Sequence, residues 1–376
     1  MPLTIAAFAC VPRPSAQLPT AMTLLETDWH AVTAFLDSAV AGGAAPGAVL
    51  GVSVAGNRFV YATGRMAPDD ATRPGPTTVY DLASLTKTVG LATAAMLAVD
   101  DRRLELDVPV QAYVPEFAGA GKERVTIRML LAHASGLPAW RPLFREVSSR
   151  AEAFALADST PLESVPGTSE VYSDLGAIVL TQAIESVYHE RIDSLLQRRV
   201  FQPLGMTSVK FNPPPDEWGR IAPTELDTWR GRLLRGEVHD ENAARMDGVS
   251  GHAGLFGSVG DLLTFAEWLI EGVKEPAFTP SLLHSFTRRQ DLVPGSSRAL
   301  GWDTPSPGSS AGRFLSPRSF GHTGFTGTSL WIDPDHRLAI VLLSNRVNPT
   351  RENPRWTPVR AEIAERVMTT LFGDAR

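Results

Sequence analysis

The chain has 376 residues, 43% hydrophobic and 20% charged, with one cysteine and a formal net charge of −6. An acidic balance without a Lys/Arg block excludes a phosphate-backbone grip, so no nucleic-acid partner is expected. Cys10 alone closes no internal disulfide, no Cys/His group has zinc spacing, and no apolar run approaches the ~20 residues that span a bilayer.

Residues 1–21 begin apolar without a basic n-region and precede Met22. They are read as a disordered or non-native N-terminal segment, and the lack of a recognisable export signal favours the cytoplasm. From Asp28 onward Trp29, Val32, Phe35, Leu36, Ala39 and Val40 recur at helical spacing until Gly42-Gly43 stops the pattern. Residues 47–55 and 58–64 are β-branched and aromatic runs that predict a hairpin turning at Gly56-Asn57. Helical periodicity then dominates from Ser84 to about Val200, and residues 211–250, with Pro213-Pro214-Pro215, read as a loop-rich excursion. Ser258-Val259-Gly260-Asp261 has the form of a capping box before a helix over 262–270. Residues 329–333 and 338–344 flank Pro334-Asp335-His336 as a second hairpin, and a helix over 358–371 closes the chain. Together these predict an α+β (α/β sandwich) fold. Its antiparallel sheet, flanked by N- and C-terminal helices, comes from residues 22–80 and 250–376, and a mainly helical region is inserted at 81–249.

Only four lysines occur, Lys87, Lys122, Lys210 and Lys274, in a chain whose positive charge is otherwise Arg. Lys87 belongs to Ser84-Leu85-Thr86-Lys87, at the head of an apolar helical run. Three-residue spacing puts Ser84 and Lys87 on one helix face. There an amine whose pKa is lowered can take the serine proton, which Arg cannot do. Ser-x-x-Lys alone is weak, because a chance match is expected in roughly one chain of this makeup in four. Two later segments add weight. Tyr172-Ser173-Asp174 brings a phenol able to act as general acid or base beside a lysine, and Gly321-His322-Thr323-Gly324-Phe325 is a Gly-rich strand edge offering backbone N–H groups.

These three motifs, in this order, resemble the serine β-lactamase and penicillin-binding-protein superfamily, in its class C-like branch with D-alanyl-D-alanine carboxypeptidases, D-aminopeptidases and family VIII esterases. The resemblance runs from about residue 28 to the C-terminus. It implies that Ser84 is the acylated nucleophile, Lys87 its proton partner and Tyr172 the base, with an oxyanion hole formed by the N–H groups of Ser84 and Phe325. Asp174, His322, Thr323 and Gly324 would contact substrate. Neither metal nor organic cofactor is implied.

The chain has Asp174 where lactamases of this branch carry Asn, and His322 where they carry Lys. An ionised Asp donates no N–H, and a neutral His attracts a carboxylate less than Lys does. The expected activity is therefore hydrolysis of small esters or of D-amino-acid amides and peptides, with weak or no β-lactamase activity. The alternatives are an efficient β-lactamase or D-Ala-D-Ala carboxypeptidase, and a catalytically weak peptide-binding protein. Gly308-Ser309-Ser310-Ala311-Gly312 matches Gly-x-Ser-x-Gly, but its Pro-rich loop lacks the strand and helix a nucleophile elbow needs. His133, His239 and His252 are spaced too widely for a metal motif and read as hydrogen-bonding loop residues, and Asp240 and Glu241 as solvated loop charges.

Overall fold

The computed structural model describes residues 24, 26–272 and 275–373, so the segment 1–21 lies outside the described residues. Its helices of eight residues or more are α1 (His30–Ala41), α2 (Thr93–Asp100), α3 (Arg150–Ser159), α4 (Asp174–Tyr188), α5 (Val259–Glu271), α6 (Pro280–Thr287) and α7 (Thr357–Phe372). The strands are β1 (Gly47–Val54), β2 (Asn57–Gly64), β3 (Val79–Asp81), β4 (Lys210–Phe211), β5 (Leu226–Asp227), β6 (Arg232–Leu233), β7 (Leu255–Ser258), β8 (Phe320–Thr323), β9 (Ser329–Asp333) and β10 (Leu338–Ser344).

Both expected hairpins form, and they join in one antiparallel sheet of order β2-β1-β10-β9-β8. Side chains alternate along each strand, so β1 sends Ala48, Leu50, Val52 and Val54 to one face, where they meet Val32 and Leu36 of α1 and Ile363 and Val367 of α7. On β10, Leu338, Ile340 and Leu342 point the same way, and the register sets Leu50 opposite Leu342. Val49, Val341 and Leu343 face the other side, against Leu262, Leu263 and Ala266 of α5. Strands covered on both faces need apolar residues at every position, which explains their continuous hydrophobic runs. Each fully buried Val or Leu contributes about 1.5–3 kcal/mol. Gly51 faces α5, and a Cβ there would lie 2.4 Å from Val259 Cγ2, so the glycine sets how closely the helix docks.

A second, three-stranded sheet, β3-β7-β4, leads the chain into the helical region. There α4 buries Leu175, Ile178, Val179, Ala183 and Ile184 at three- and four-residue spacing, in the same cluster as Ala94 and Leu97 of α2. No helix among the described residues is long and apolar enough to cross a membrane.

Two local expectations fail. Ser258 does precede α5, but it makes no side-chain cap. Ser208 intercepts the box instead, donating its hydroxyl to Ser258 Oγ at 2.9 Å and its N–H to Asp261 Oδ2 at 2.6 Å. The segment after β3 is also no regular α-helix: a 3-10 turn, Ala83–Leu85, passes into a π-helix, Thr86–Ala92, before α2 begins. Helices widened in this way often mark functional sites.

Candidate active site

The 3-10 turn is built by its neighbours. Asp81, buried at the end of β3, accepts the Ala83 N–H at 2.8 Å and the His239 N–H at 2.6 Å. Burial nevertheless raises the Asp81 pKa against those two donors. Ala83 has φ 47°, a left-handed conformation costing a residue with a Cβ on the order of 1–2 kcal/mol. The strained step presents Ser84 at the cleft, just ahead of the π-helix that carries Lys87.

Three oxygens surround Lys87 Nζ: Ser84 Oγ at 3.1 Å, the His252 carbonyl at 2.9 Å and Asp174 Oδ1 at 2.7 Å. Burial by itself lowers the Lys87 pKa, but the Asp174 carboxylate and the Tyr172 oxygen outweigh it and leave the pKa above the ordinary lysine value. The lowered amine pKa expected from the sequence is therefore not met. The amine donates to Ser84 Oγ and the His252 carbonyl, and its charged form is favoured by the ion-pair contact with Asp174 Oδ1. Lys87 is a fixed cation, and Ser84 Oγ accepts its hydrogen bond.

Tyr172 lies just before the N-cap of α4, where Ser173 Oγ accepts the Gly176 N–H at 3.1 Å. Its hydroxyl is shut away from solvent without a hydrogen-bond partner. Four groups surround the ring: Lys87 Nζ lies 4.9 Å and the Arg298 guanidinium 5.2 Å from its centroid, while the His133 and His322 rings lie at 4.6 and 5.7 Å. Arg298 pairs with Glu170 at 2.8 Å. Sequence reasoning missed Arg298, which lies in a loop without period or motif. His133 was assigned only a structural bond, and it does accept the Ser173 N–H at 3.1 Å through Nδ1.

His322 is neutral. Burial, and then the Arg298 and Lys87 cations, hold its pKa down to about 3. Its Nδ1 lies 2.7 Å from the Thr323 carbonyl, which only accepts, so Nδ1 carries the proton and Nε2 is left as an acceptor.

The Gly-rich edge is stapled to the nucleophile's turn. Thr326 Oγ1 donates to the Asp81 carbonyl at 2.7 Å and Thr328 Oγ1 to the Leu82 carbonyl at 3.0 Å. The Gly324 N–H closes the loop on Thr328 O at 2.8 Å. A Cβ on Gly324 would meet Thr328 Oγ1 at 2.1 Å and Leu82 O at 2.5 Å, so only glycine fits here. The N–H groups of Ser84 and Phe325 have no backbone acceptor among the described residues. Phe325 itself is half exposed, with its ring stacked on His239.

Ser84, Tyr172, Arg298, His322, Thr323, Gly324 and Phe325 line one cleft of about 590 Å³, together with Arg346 and Arg360. Asp174, expected to contact substrate, is not among the lining residues and pairs with Lys87 instead. Three arginines thus line a cleft whose third motif lacks a lysine. Ser310 lines the same cleft, in an irregular segment where its Oγ accepts Trp331 Nε1 at 3.0 Å and no general base among the described residues is hydrogen-bonded to it.

His239 and His252 are held by carboxylates: His239 Nε2 lies 2.8 Å from Glu225 Oε2, and His252 Nε2 lies 2.8 Å from Asp240 Oδ1. Asp240 and Glu241 are not the solvated charges expected. Asp240 also accepts the Ala243 N–H, and Glu241 pairs with Arg351 at 2.7 Å.

Comparison with known proteins fits this geometry. The Beta-lactamase family profile matches residues 32–365. A protein of Salmonella agona (strain SL483) named "Putative D-alanyl-D-alanine carboxypeptidase" is 33% identical over 323 residues, covering 75% of this chain and 72% of its own. A protein of the same name from Escherichia coli (strain K12) is 31% identical, covering 78% and 75%. Among solved structures, a penicillin-binding-protein homologue from Caulobacter crescentus superimposes with a TM-score of 0.74 at 21% identity, over 91% of this chain and 97% of the other. A class C beta-lactamase does so with 0.73 at 19% identity, over 92% and 97%. The chain belongs to the Beta-lactamase family of serine hydrolases.

Proposed function

We propose that the protein hydrolyses small esters and D-amino-acid amides or peptides through an acyl-enzyme on Ser84. The observation that carries this reading is the 3.1 Å contact between Lys87 Nζ and Ser84 Oγ, with Tyr172 packed beside the same lysine.

Tyr172, flanked by Lys87 and Arg298, acts as the base that takes the Ser84 proton while Oγ attacks the carbonyl carbon. The N–H groups of Ser84 and Phe325 hold the resulting oxyanion. As the tetrahedral intermediate collapses, the bond to the leaving group breaks and Tyr172 returns its proton to the departing alcohol or amine. Water then attacks the ester on Ser84, giving its proton to Tyr172, and a second collapse frees the acid and restores the serine hydroxyl. Lys87 stays charged throughout.

Asp174 and His322 offer neither an amide donor nor a cation, which supports weak β-lactamase activity. Arg298, Arg346 and Arg360 favour a second reading of the same site, in which the scissile group is followed by a carboxylate, as in D-Ala-D-Ala peptides. The name shared by the enterobacterial relatives agrees with it.

The test compares kcat/KM for a short p-nitrophenyl ester, D-alanine p-nitroanilide, a D-Ala-D-Ala peptide and nitrocefin, alongside fluorophosphonate labelling. Ester or D-amide turnover with a label on Ser84 is expected. Failure of every substrate and of the label would sink the proposal.

A further inference from the structure

Arg346 and Arg360 make no ion pair with a carboxylate among the described residues, and both reach consecutive carbonyls of the Gly-rich edge. Arg360, in the first turn of α7, donates Nη2 to Gly324 O at 2.5 Å, and Arg346, just past β10, donates Nε to Phe325 O at 2.8 Å. Arg360 is half-buried, and its Nε is shut away from solvent without a partner. Burial and the neighbouring Arg346 pull its pKa down to about 10, so it stays charged at neutral pH.

Keeping a cation here without a counter-charge is costly, and a neutral amide or a water molecule would satisfy one carbonyl equally well. The arrangement makes sense if negative charge arrives during the reaction. The Gly324–Phe325 peptide is trans, so its C=O and N–H point in opposite directions along one dipole. A guanidinium on the oxygen draws electron density through the amide and makes the N–H at the other end a stronger donor. Hydrogen bonds linked in series polarise one another, and charge-assisted ones are roughly twice as strong as neutral ones.

We propose that Arg360 is a positioning residue that clamps and polarises the Gly324–Phe325 peptide so that the Phe325 N–H stabilises the oxyanion formed on Ser84, while Arg346 holds the next carbonyl. The inference rests on the acyl-enzyme reading above. It separates from carboxylate recognition, because polarisation of the hole acts on neutral substrates too.

The experiment compares wild type with Arg360→Met, Arg360→Gln and Arg360→Lys on a neutral p-nitrophenyl ester and on a D-Ala-D-Ala peptide. It also reads the infrared carbonyl stretch of the acyl-enzyme trapped from a 13C-carbonyl ester. Removing an oxyanion donor outright costs about 10²–10³ in kcat, so weakening one predicts a loss of about tenfold on the neutral ester with little change in KM. The acyl carbonyl stretch should rise in Arg360→Met and Arg360→Gln and return toward wild type in Arg360→Lys. Should Arg360→Met fail to fold, the polar, uncharged Arg360→Gln carries the same prediction. An unmoved stretch overturns the proposal. If KM alone rises, and only for the peptide, Arg360 is a carboxylate receptor; if thermal stability falls with the stretch unmoved, it is structural. Wild-type protein that forms no acyl-enzyme overturns the functional reading and this inference together, whereas acylated wild type with unaltered variants overturns this inference alone.

Discussion

Lys87 and Asp174 form an ion pair behind Ser84, Nζ to Oδ1 at 2.7 Å, with the lysine almost fully buried and the carboxylate about one-fifth exposed. The pair explains why the only lysine of the site is a charge holder rather than a base. Asp174→Asn keeps the shape and removes the negative charge, at a cost of about 1.5–3 kcal/mol. It also supplies an amide donor. The expected outcome is a lower unfolding midpoint together with a higher ratio of nitrocefin to ester turnover, read by urea titration and steady-state kinetics.

Ser84→Ala should lower ester turnover by at least about 10⁴-fold and abolish fluorophosphonate labelling, with the circular dichroism spectrum unchanged. Tyr172→Phe and Lys87→Ala should each approach the same loss, because residues acting as one unit give non-additive effects. Ser310→Ala should still label, since Ser310 has no base beside it. Mass spectrometry of the labelled peptide decides between the two serines.

Arg298→Gln removes the second cation facing Tyr172. With that cation gone from beside the base, kcat/KM for the ester at pH 7 should fall by about tenfold or more. A rate equal to wild type would leave Arg298 without a part in the proton transfer.

Acid should weaken the fold before the carboxylates titrate. The His322 pKa is held at about 3 by burial and by Arg298 and Lys87, and that of His133 lies well below the ordinary value for the same reasons. Unfolded histidine takes up a proton near pH 6.5. Between those limits the unfolded chain binds protons that the native state refuses, so this contribution to stability is fully present above about pH 6.5 and is lost as the pH falls toward 3. The unfolding midpoint should therefore drop between pH 7 and 5, and His322→Asn should flatten that slope.

Gly324→Ala should shift the loop, because its Cβ collides with Thr328 Oγ1 and Leu82 O. Moving the Phe325 N–H away from the oxyanion predicts a kcat loss of about 10²–10³. Stopped-flow acylation should show the loss in the acylation step.

Much was legible in the residues themselves. The β-branched and aromatic runs of β1 and β2, the hairpin flanks at β9 and β10, the helical spacing of α1 and α7, and the order Ser84-x-x-Lys87, Tyr172, His322-Thr323-Gly324 point to the sheet, its flanking helices and the family, because each is written in contiguous residues. The capping box at Ser258 misled because Ser208, distant in sequence, offers better partners than the local backbone does.

What the chain alone determined is the set of reactive groups and the elements that carry them. The tertiary structure decided their states: Lys87 favours its charged form because Asp174 lies against it, His322 is neutral because burial, and then Arg298 and Lys87, disfavour its proton, and Ser310 is a wall because its hydroxyl is bonded to Trp331. Charge state and hydrogen-bond satisfaction depend on burial and through-space distance between groups far apart in sequence, and no local pattern encodes them.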